Sequence, residues 1–406
     1  MEIRAATDSE FEETIDVTCL SFRPDGHERY RSYAEDLSYR REQTRVVIEE
    51  GRVVATLRVW ERTLMIGSQP LRMGGIGGVC THPAYRSRGH GSALMKESIS
   101  YMDGAGYVIG TLFSALPSRY YSTLGWAPVP LSGFSINPGP WKEAAETDVI
   151  VEPFREEEDL ESIMALYDRY NGTRSGTLVR PRDYWHATPS RLRGVLPTVV
   201  VRSGGSVKGY LSYALAGERL WVDEVAYDRE EPAVLGELVS HLSAVCRDTP
   251  AITEICGAIP HTHPLVDVIH DSCSGTLSLT GVSSMMMYAI KLKELVANLV
   301  PEWQERLDAQ SDRLDAVDLA LSLNGQRAVV SFDGRSLALT DQAGAHAVEL
   351  ELPGSFLWRA FLGESSWAEL EPAVEARGLS MTPAATRLLK AMLPRREVIF
   401  WAPDHF

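Results

Sequence analysis

Apolar residues recur at two spacings along this chain, and they predict three successive segments of mixed helix and strand. The first segment has helical spacing over residues 8–20, where Asp8 is the predicted N-cap, and over residues 92–102. Runs rich in β-branched residues predict its strands over residues 45–48, 53–60, 63–66, 71–79 and 108–113. The order is strand, Gly- and Arg-rich loop, helix, strand, which indicates a sheet built partly from hairpins.

A Pro-Gly-Pro stretch at 138–140 marks the first predicted domain boundary, and residues 289–295 mark the second. The middle segment has predicted strands at 149–154, 197–202, 209–214 and 220–227, and predicted helices at 158–170 and 232–246. The last segment has a helix at 295–307, strands at 318–323, 328–332, 336–340, 347–352 and 397–401, and helices at 355–362, 366–377 and 383–393. We therefore predict domains at 1–137, 138–290 and 291–406. The middle one repeats the order of the first, as a diverged duplication would.

Composition and charge narrow the class of protein. Of 406 residues, 44% are hydrophobic and 23% are charged, which excludes a disordered chain and a collagen-like chain. The formal charge of −15 disfavours nucleic acid and anionic membrane as partners. The five cysteines include no CxxC pair, and the chain shows no signal peptide and no apolar run of 18 residues. We expect a soluble cytoplasmic protein.

The strongest chemical signal is the loop that carries Arg86, Gly89 and Gly91 in an R-x-x-G-x-G pattern. It follows a predicted strand and opens a predicted helix. Glycine lets the backbone approach a ligand closely, and the N–H groups of the first helical turn then point at an anion. Such a loop suits a pyrophosphate. The chain has no Walker A motif and no dinucleotide-binding fingerprint, so these two kinds of phosphate loop are not predicted. The alternative to a pyrophosphate site is a simple turn before a helix.

The pattern V-x-T-x-P-x-x-R-x-R-G-x-G over residues 79–91 resembles the acetyl-CoA motif of the GNAT superfamily of N-acetyltransferases. The resemblance implies that backbone amides of the loop hold the pyrophosphate, and that a splayed strand offers Val79 and Thr81 to the pantetheine. The acetyl-CoA-binding residues it implies are Val79, Cys80, Thr81, Arg86, Ser87, Arg88, Gly89, His90, Gly91 and Ser114.

The organisation of the whole chain resembles the enhanced-intracellular-survival (Eis) family. The length, the degenerate second segment and the terminal Phe406 support this resemblance. It implies an α+β fold with two tandem GNAT-type domains followed by a sterol-carrier-protein-like α/β domain, in a homo-hexamer. It also implies that the Phe406 carboxylate is the general base and that Tyr121 is the general acid, with Tyr120 as the competing tyrosine. Family members acetylate aminoglycoside antibiotics, often at several positions.

Some residues depart from the family pattern or have a plainer explanation. Ser87 interrupts the run of arginines in the loop, and the acidic residue Asp404 lies two positions before the terminus. Phe22, Asp25 and Asp404 are candidate substrate-binding residues, although Asp25 is as well explained as a solvated loop charge. We interpret Cys80 as a small apolar filler.

The function predicted is acetyl-CoA-dependent transfer to an amine of a small, cationic, aminoglycoside-like substrate, without a metal. His261-x-His263 has metal-like spacing but no accompanying ligand cluster, so we interpret it as a structural turn. In the middle segment, Asp228 to Pro232 takes the loop position with acidic residues, so we expect no coenzyme A there. The alternatives are transfer to a protein lysine or a small metabolite, and a non-catalytic protein that binds a ligand or lipid.

Overall fold

The computed structural model describes residues 1–114, 118–142, 149–187, 197–281, 284–344, 347–379 and 381–406. These residues form a mixed α+β structure with two seven-stranded sheets and one four-stranded sheet. They divide into two compact units. The first contains Met1–Val129, Ser284–Arg396 and Phe406, and the second contains Pro130–Ser283 and Glu397–His405.

The first unit begins with ten elements that surround the predicted loop. They are β1 (Glu2–Ala5), α1 (Phe11–Ser21), α2 (His27–Ser32), β2 (Thr44–Glu49), β3 (Arg52–Ile66), β4 (Gln69–Thr81), α3 (His90–Gly104), β5 (Ile109–Phe113), α4 (Ser118–Ser122) and β6 (Ala127–Pro128). The elements of the second unit follow in the chain. They are β7 (Ser132–Asn137), β8 (Ile150–Pro153), α5 (Glu156–Asn171), α6 (Arg182–Ala187), β9 (Thr198–Ser203), β10 (Ser206–Ala216), β11 (Arg219–Tyr227), α7 (Ala233–Asp248), β12 (Glu254–Gly257), α8 (Pro264–Ser272) and β13 (Thr276–Gly281).

The chain then returns to the first unit. Its remaining elements are β14 (Met285–Ala289), α9 (Leu292–Asp308), β15 (Val317–Leu323), β16 (Gln326–Phe332), β17 (Leu337–Thr340), β18 (Val348–Glu351), α10 (Gly354–Leu362), α11 (Trp367–Glu375) and α12 (Pro383–Met392). The last four strands form the small sheet, in the order β17-β16-β15-β18. No helix within the described ranges is both long enough and apolar enough to cross a membrane.

The large sheet of the first unit has the order β1-β2-β3-β4-β5-β14-β6. Strands β4 and β5 are parallel and pair from Met73 with Ile109 to Ile76 with Leu112. Beyond Ile76, β4 pairs only with β3, as far as Thr81. The sheet therefore opens between β4 and β5 just before the Gly- and Arg-rich loop, and the N-terminus of α3 follows that loop.

The second unit has its own sheet, in the order β13-β7-β12-β11-β10-β9-β8. Strand β7 pairs with β12 and β13, although residues 132–137 fall within the first domain predicted from sequence. Strand β14 pairs with β5 and β6, although residues 285–289 fall within the second. At both junctions, therefore, a strand pairs with strands outside the domain to which the sequence prediction assigns it. The sterol-carrier-protein-like nature of the last segment stays a prediction.

Two predicted elements differ in detail from the structure. The helix expected over 8–20 starts as a short 3₁₀ turn, and its beginning is stabilised by the Thr7 N–H, which donates to Glu10 Oε2 at 2.7 Å, instead of by Asp8. Residues 397–401 do not form a strand. Val398 makes one isolated bridge to Ser175, and the segment is buried by packing in the core of the second unit. Apolar residues in a short run are equally compatible with burial and with a strand, so the pattern could not separate the two.

His263 is a structural residue, as the sequence indicated. Its side chain is fully buried, its Nδ1 accepts a hydrogen bond from the Leu265 N–H at 3.1 Å, and its Nε2 lies 2.7 Å from the Tyr170 hydroxyl. Burial, with Arg174 and Arg229 nearby, lowers the pKa of His263 to about 3.

The buried His263 should make folding sensitive to acid. The unfolded chain binds a proton at this residue near pH 6.5, while the folded chain does not do so until about pH 3, so stability falls as the pH drops through this interval. We expect His263→Asn, which keeps an oxygen to cap α8, to lose less stability than the native chain between pH 7 and pH 5. Urea unfolding at several pH values measures this, and equal losses in the two proteins would contradict it.

Candidate active site

The Gly- and Arg-rich loop forms a backbone turn that only a few residue types adopt easily. Gly89 has φ +84° and is the N-cap of α3, and Ser87 also has a positive φ of +64°. The first N–H groups of α3 have no partner within the helix, and the helix dipole adds partial positive charge at this end. A loop of this kind can accept a pyrophosphate. That residues 86–91 bind the pyrophosphate of coenzyme A stays a prediction.

Two side chains of this region, Arg88 and His90, lie near the carboxylate of Glu49. Glu49, the last residue of β2, lies 3.0 Å from His90 Nε2 and 3.5 Å from Arg88 Nη1. Arg86 donates to the Thr81 carbonyl at 3.2 Å and is exposed. The exposed guanidinium groups of Arg86 and Arg88 therefore lie beside the loop, where a phosphate could recruit them.

Cys80 lies in β4 as a buried residue. It is 6% exposed, and burial raises the pKa of its thiol to about 11. A thiol with such a raised pKa is almost wholly protonated at neutral pH and is a poor nucleophile. The interpretation of Cys80 as an apolar filler fits this environment.

The terminal residue Phe406 lies on the face of β4 where Gly75 and Gly77 provide no side chains. A Cβ atom on Gly75 would lie 2.4 Å from the Phe406 ring, and a Cβ atom on Gly77 would lie 3.3 Å from the Phe406 carboxyl carbon. The ring also stands edge-on to Phe113, with 5.6 Å between centroids. Gly77 lies in the part of β4 that β5 no longer pairs with, so the carboxylate is at the opening of the sheet.

The two neighbouring tyrosines of α4 have different surroundings. Tyr121 is 6% exposed, and burial raises the pKa of its hydroxyl, while a hydrogen bond with the Ser114 side chain opposes that shift. The Tyr120 hydroxyl lies 3.3 Å from Ser92 Oγ, in the first turn of α3. Tyr121 is therefore protonated at neutral pH, as a proton donor must be, while the raised pKa makes its hydroxyl a weaker acid.

Two of the predicted substrate-binding residues are exposed in the loop after α1. Phe22 is 57% exposed, and the Asp25 side chain is 89% exposed. Among the described residues, its one ionic partner is Arg23, with Nε at 4.0 Å. The structure therefore leaves Asp25 as a solvated charge or as a residue that a substrate could approach.

Asp404, the third predicted substrate-binding residue, is instead buried in the second unit. It is 2% exposed, Arg180 Nε lies 2.9 Å from its Oδ1, and the Tyr184 hydroxyl donates to the same oxygen at 3.0 Å. Arg180 also pairs with Glu224, and both side chains are inaccessible to solvent. This burial favours an anchoring role for Asp404 over the predicted contact with substrate. Removing one member of a buried charge group leaves the others uncompensated, which is costly.

The loop of the second unit that corresponds to residues 85–91 has a different chemistry. Lys208 Nζ lies 3.3 Å from Asp228 and 2.7 Å from Glu231, just before α7 begins. Two carboxylates at this helix end disfavour a pyrophosphate. The expectation that the second unit binds no coenzyme A stays a prediction.

Comparison with known proteins agrees with this geometry. Residues 2–129 match the model of an acetyltransferase (GNAT) domain family. The match places an acetyltransferase domain in the first unit, and the protein is an acyltransferase, which favours the enzyme over the non-catalytic alternative. No curated protein matches the chain by sequence.

Solved structures share the fold over the whole chain. One is a probable N-acyltransferase from Enterococcus faecalis V583, with a TM-score of 0.77, 16% identity and coverage of 100% of this chain and 99% of that one. Another is a GCN5-related N-acetyltransferase from Kribbella flavida, at TM-score 0.72 and 19% identity, covering 100% and 98%. A third is Eis1 from Mycobacterium abscessus, at TM-score 0.69 and 16% identity, covering 100% of both chains. At sequence identities this low, the structural similarity shows a common fold alone.

Several residues around Phe406 escaped the sequence analysis. Gly75 and Gly77 lie within a predicted strand, and Trp60 Nε1 lies 2.9 Å from the position of a Cβ on Gly77. The glycines at 74, 75, 77 and 78 were a usable signal, because glycine in a strand often marks a close approach of another group.

We expect Gly75→Ala to displace the Phe406 ring, because the added methyl group would lie 2.4 Å from it. The turnover number should fall by roughly 100-fold, as a misplacement of about 1 Å can do, while acetyl-CoA affinity changes little. Steady-state kinetics and calorimetry measure the two effects. Gly104→Ala is the matched control, since a Cβ there would meet no atom of the described segments within 4 Å. Unchanged turnover in Gly75→Ala would contradict the placement of Phe406.

Proposed function

We propose that this protein transfers the acetyl group of acetyl-CoA directly to an amine, with the Phe406 carboxylate as general base and Tyr121 as general acid. One observation carries the proposal. The terminal carboxyl group lies over Gly77, where β4 and β5 separate, in the same unit as the loop that we propose to hold the pyrophosphate.

The carboxylate of Phe406 provides what the acceptor needs. Most amines are protonated at neutral pH and cannot attack a thioester, so a base must accept a proton first. A carboxylate is a weak base in water, and removing it from water would raise its pKa and make it a better base. It takes one proton from the ammonium group, either directly or through a water molecule, and the neutral nitrogen then bonds to the acetyl carbonyl carbon. The nitrogen loses its second proton as the tetrahedral intermediate collapses.

Tyr121 completes the proton balance. When the carbon–sulfur bond breaks, the leaving thiolate takes the hydroxyl proton of Tyr121. Of the two protons that the acceptor nitrogen loses, one restores the hydroxyl of Tyr121 and the other goes to solvent. No covalent intermediate with the enzyme is needed. Most of the rate gain would come from holding amine and thioester together.

The acceptor is an amine whose class must be tested. The family resemblance supports aminoglycoside-like polycations acetylated at several positions, with a protein lysine or a small metabolite as the alternative. A homo-hexamer, a cytoplasmic location and the absence of nucleic-acid and membrane partners stay proposals from the sequence.

Deleting Phe406 should abolish acetyl transfer while leaving acetyl-CoA binding intact, because it moves the terminal carboxylate without touching the loop. Thiol release from acetyl-CoA with a panel of aminoglycosides and simple amines measures transfer, and calorimetry measures binding. Transfer that survives the deletion would remove the carboxylate from the mechanism. Binding without transfer to any aminoglycoside would indicate another amine.

Replacing each tyrosine in turn separates their roles. We expect Tyr121→Phe to lower the turnover number by about 100-fold or more, within the range for loss of a general acid. Tyr120→Phe is the matched control and should mainly weaken acetyl-CoA binding, since its hydroxyl faces the first turn of α3. The opposite result, with the larger loss of turnover in Tyr120→Phe, would assign the acid to Tyr120.

A further inference from the structure

A second charged group lies on the sheet face that carries the terminal carboxylate. Arg58 pairs with Gly77 across β3 and β4, and Trp60 pairs with Gly75. Paired residues of antiparallel strands project to the same face. Since Phe406 packs over both glycines, Arg58 and Trp60 share its side of the sheet.

The Arg58 guanidinium is stacked between two rings. Its Cζ lies 3.5 Å from the centroid of Trp60 and 4.6 Å from that of Tyr39, and the residue is 9% exposed. Burial lowers the pKa of Arg58 to about 10, so the group stays protonated at neutral pH. The candidate site thus contains a buried positive charge.

The nearest carboxylate is already occupied by another arginine. Asp36 Oδ2 lies 2.6 Å from Arg62 Nη2, whereas Asp36 Oδ1 lies 3.7 Å from Arg58 Nη2. Burial would raise the pKa of Asp36, but the hydrogen bond and charge of Arg62 hold it below its usual value. Among the described residues, Arg58 has no other ionic partner within 4.0 Å. Two guanidinium groups therefore share one carboxylate.

The hydrogen bonds of Arg58 leave one edge of its guanidinium unused. Nη1 donates to the Tyr33 carbonyl, while Nε and Nη2 have no hydrogen-bond partner among the described residues. Nε and Nη2 form the side of the guanidinium that binds a carboxylate through two parallel hydrogen bonds. Both nitrogens are buried, so the side chains packed around them would have to move to admit a ligand.

We infer that Arg58 binds a carboxylate of the acceptor, so that the preferred substrate is an amine that also carries an acidic group. The inference rests on the proposed acetyl transfer. A carboxylate on the unused edge would supply the missing charge and both hydrogen bonds. A second ammonium group on the acceptor would instead be repelled by Arg58, which disfavours polycations.

The test uses matched acceptors of three to six carbons: the ω-amino carboxylate, the alkylamine and the diamine of each length. In the native protein, kcat/KM at the best length should be about tenfold or more higher for the amino carboxylate than for the alkylamine, as expected for a charged hydrogen-bonded pair, and lowest for the diamine. Arg58→Gln should remove this preference while alkylamine transfer persists, and Arg58→Lys should restore part of it. Arg72→Gln removes another stacked arginine of the same sheet, 4.5 Å from the Tyr107 ring, and should leave the preference intact.

Calorimetry with the amino carboxylate in the presence of coenzyme A separates this inference from the proposed function. Binding that Arg58→Gln weakens about tenfold, without any transfer, would support the inference and overturn the proposed function. Transfer that prefers the diamine, or that Arg58→Gln lowers equally for all three acceptors, would keep the function and overturn the inference. An equal loss for all three acceptors would mean that Arg58 acts on the terminal carboxylate instead of on the acceptor. Absence of Arg58-dependent binding would also overturn the inference.

Discussion

The candidate site depends on the close approach of Phe406 to a strand that carries no side chain at Gly75 and Gly77. Even one methyl group at Gly75 would overlap the terminal ring. The neighbouring Gly74 faces the other side of the sheet, where a Cβ would lie 2.3 Å from Met102 Sδ in α3. Strand β4 therefore has close packing on both faces, with the helix of the coenzyme loop on one and the chain terminus on the other.

In the proposed reaction, this arrangement would place the coenzyme and the acceptor amine along the same strand. The separation of β4 from β5 beyond Ile76 exposes backbone next to the loop, and Gly89 turns the chain into α3 so that its first N–H groups face outward. The carboxylate of Phe406 lies along the same separated stretch of strand. The pyrophosphate, thioester and amine would thus be aligned by one strand and the helix after it.

The second unit shows that a similar order of elements does not repeat the chemistry. Its loop before α7 holds Asp228 and Glu231 around Lys208, where the first unit has glycines and arginines. Its interior contains a buried cluster in which Arg180 pairs with both Glu224 and Asp404. Such buried charges cost more to separate than to leave paired, so this cluster fixes the chain shortly before its end.

The residue pattern alone predicted most of the helices and strands and the Gly- and Arg-rich loop, because these depend on residues that are neighbours in sequence. Helical periodicity, β-branched runs and the spacing of Arg86, Gly89 and Gly91 are local properties. The exchange of β7 and β14 between the sheets could not be predicted, because strand partners come from distant parts of the chain. The same holds for the burial of Asp404 by Arg180, which lies 224 residues earlier.

The position of Arg58 is also a tertiary result. In the sequence it is one arginine in an apolar run, and only the pairing of β3 with β4 brings it to the face of Gly77 and Phe406. Arg58 has no close carboxylate among the described residues, because Asp36 lies nearer to Arg62. The sequence by itself specified the elements and the Gly- and Arg-rich motif for which we propose a pyrophosphate. Only the tertiary structure decided which charges surround Gly77 and Phe406, because electrostatic compensation depends on distances in space.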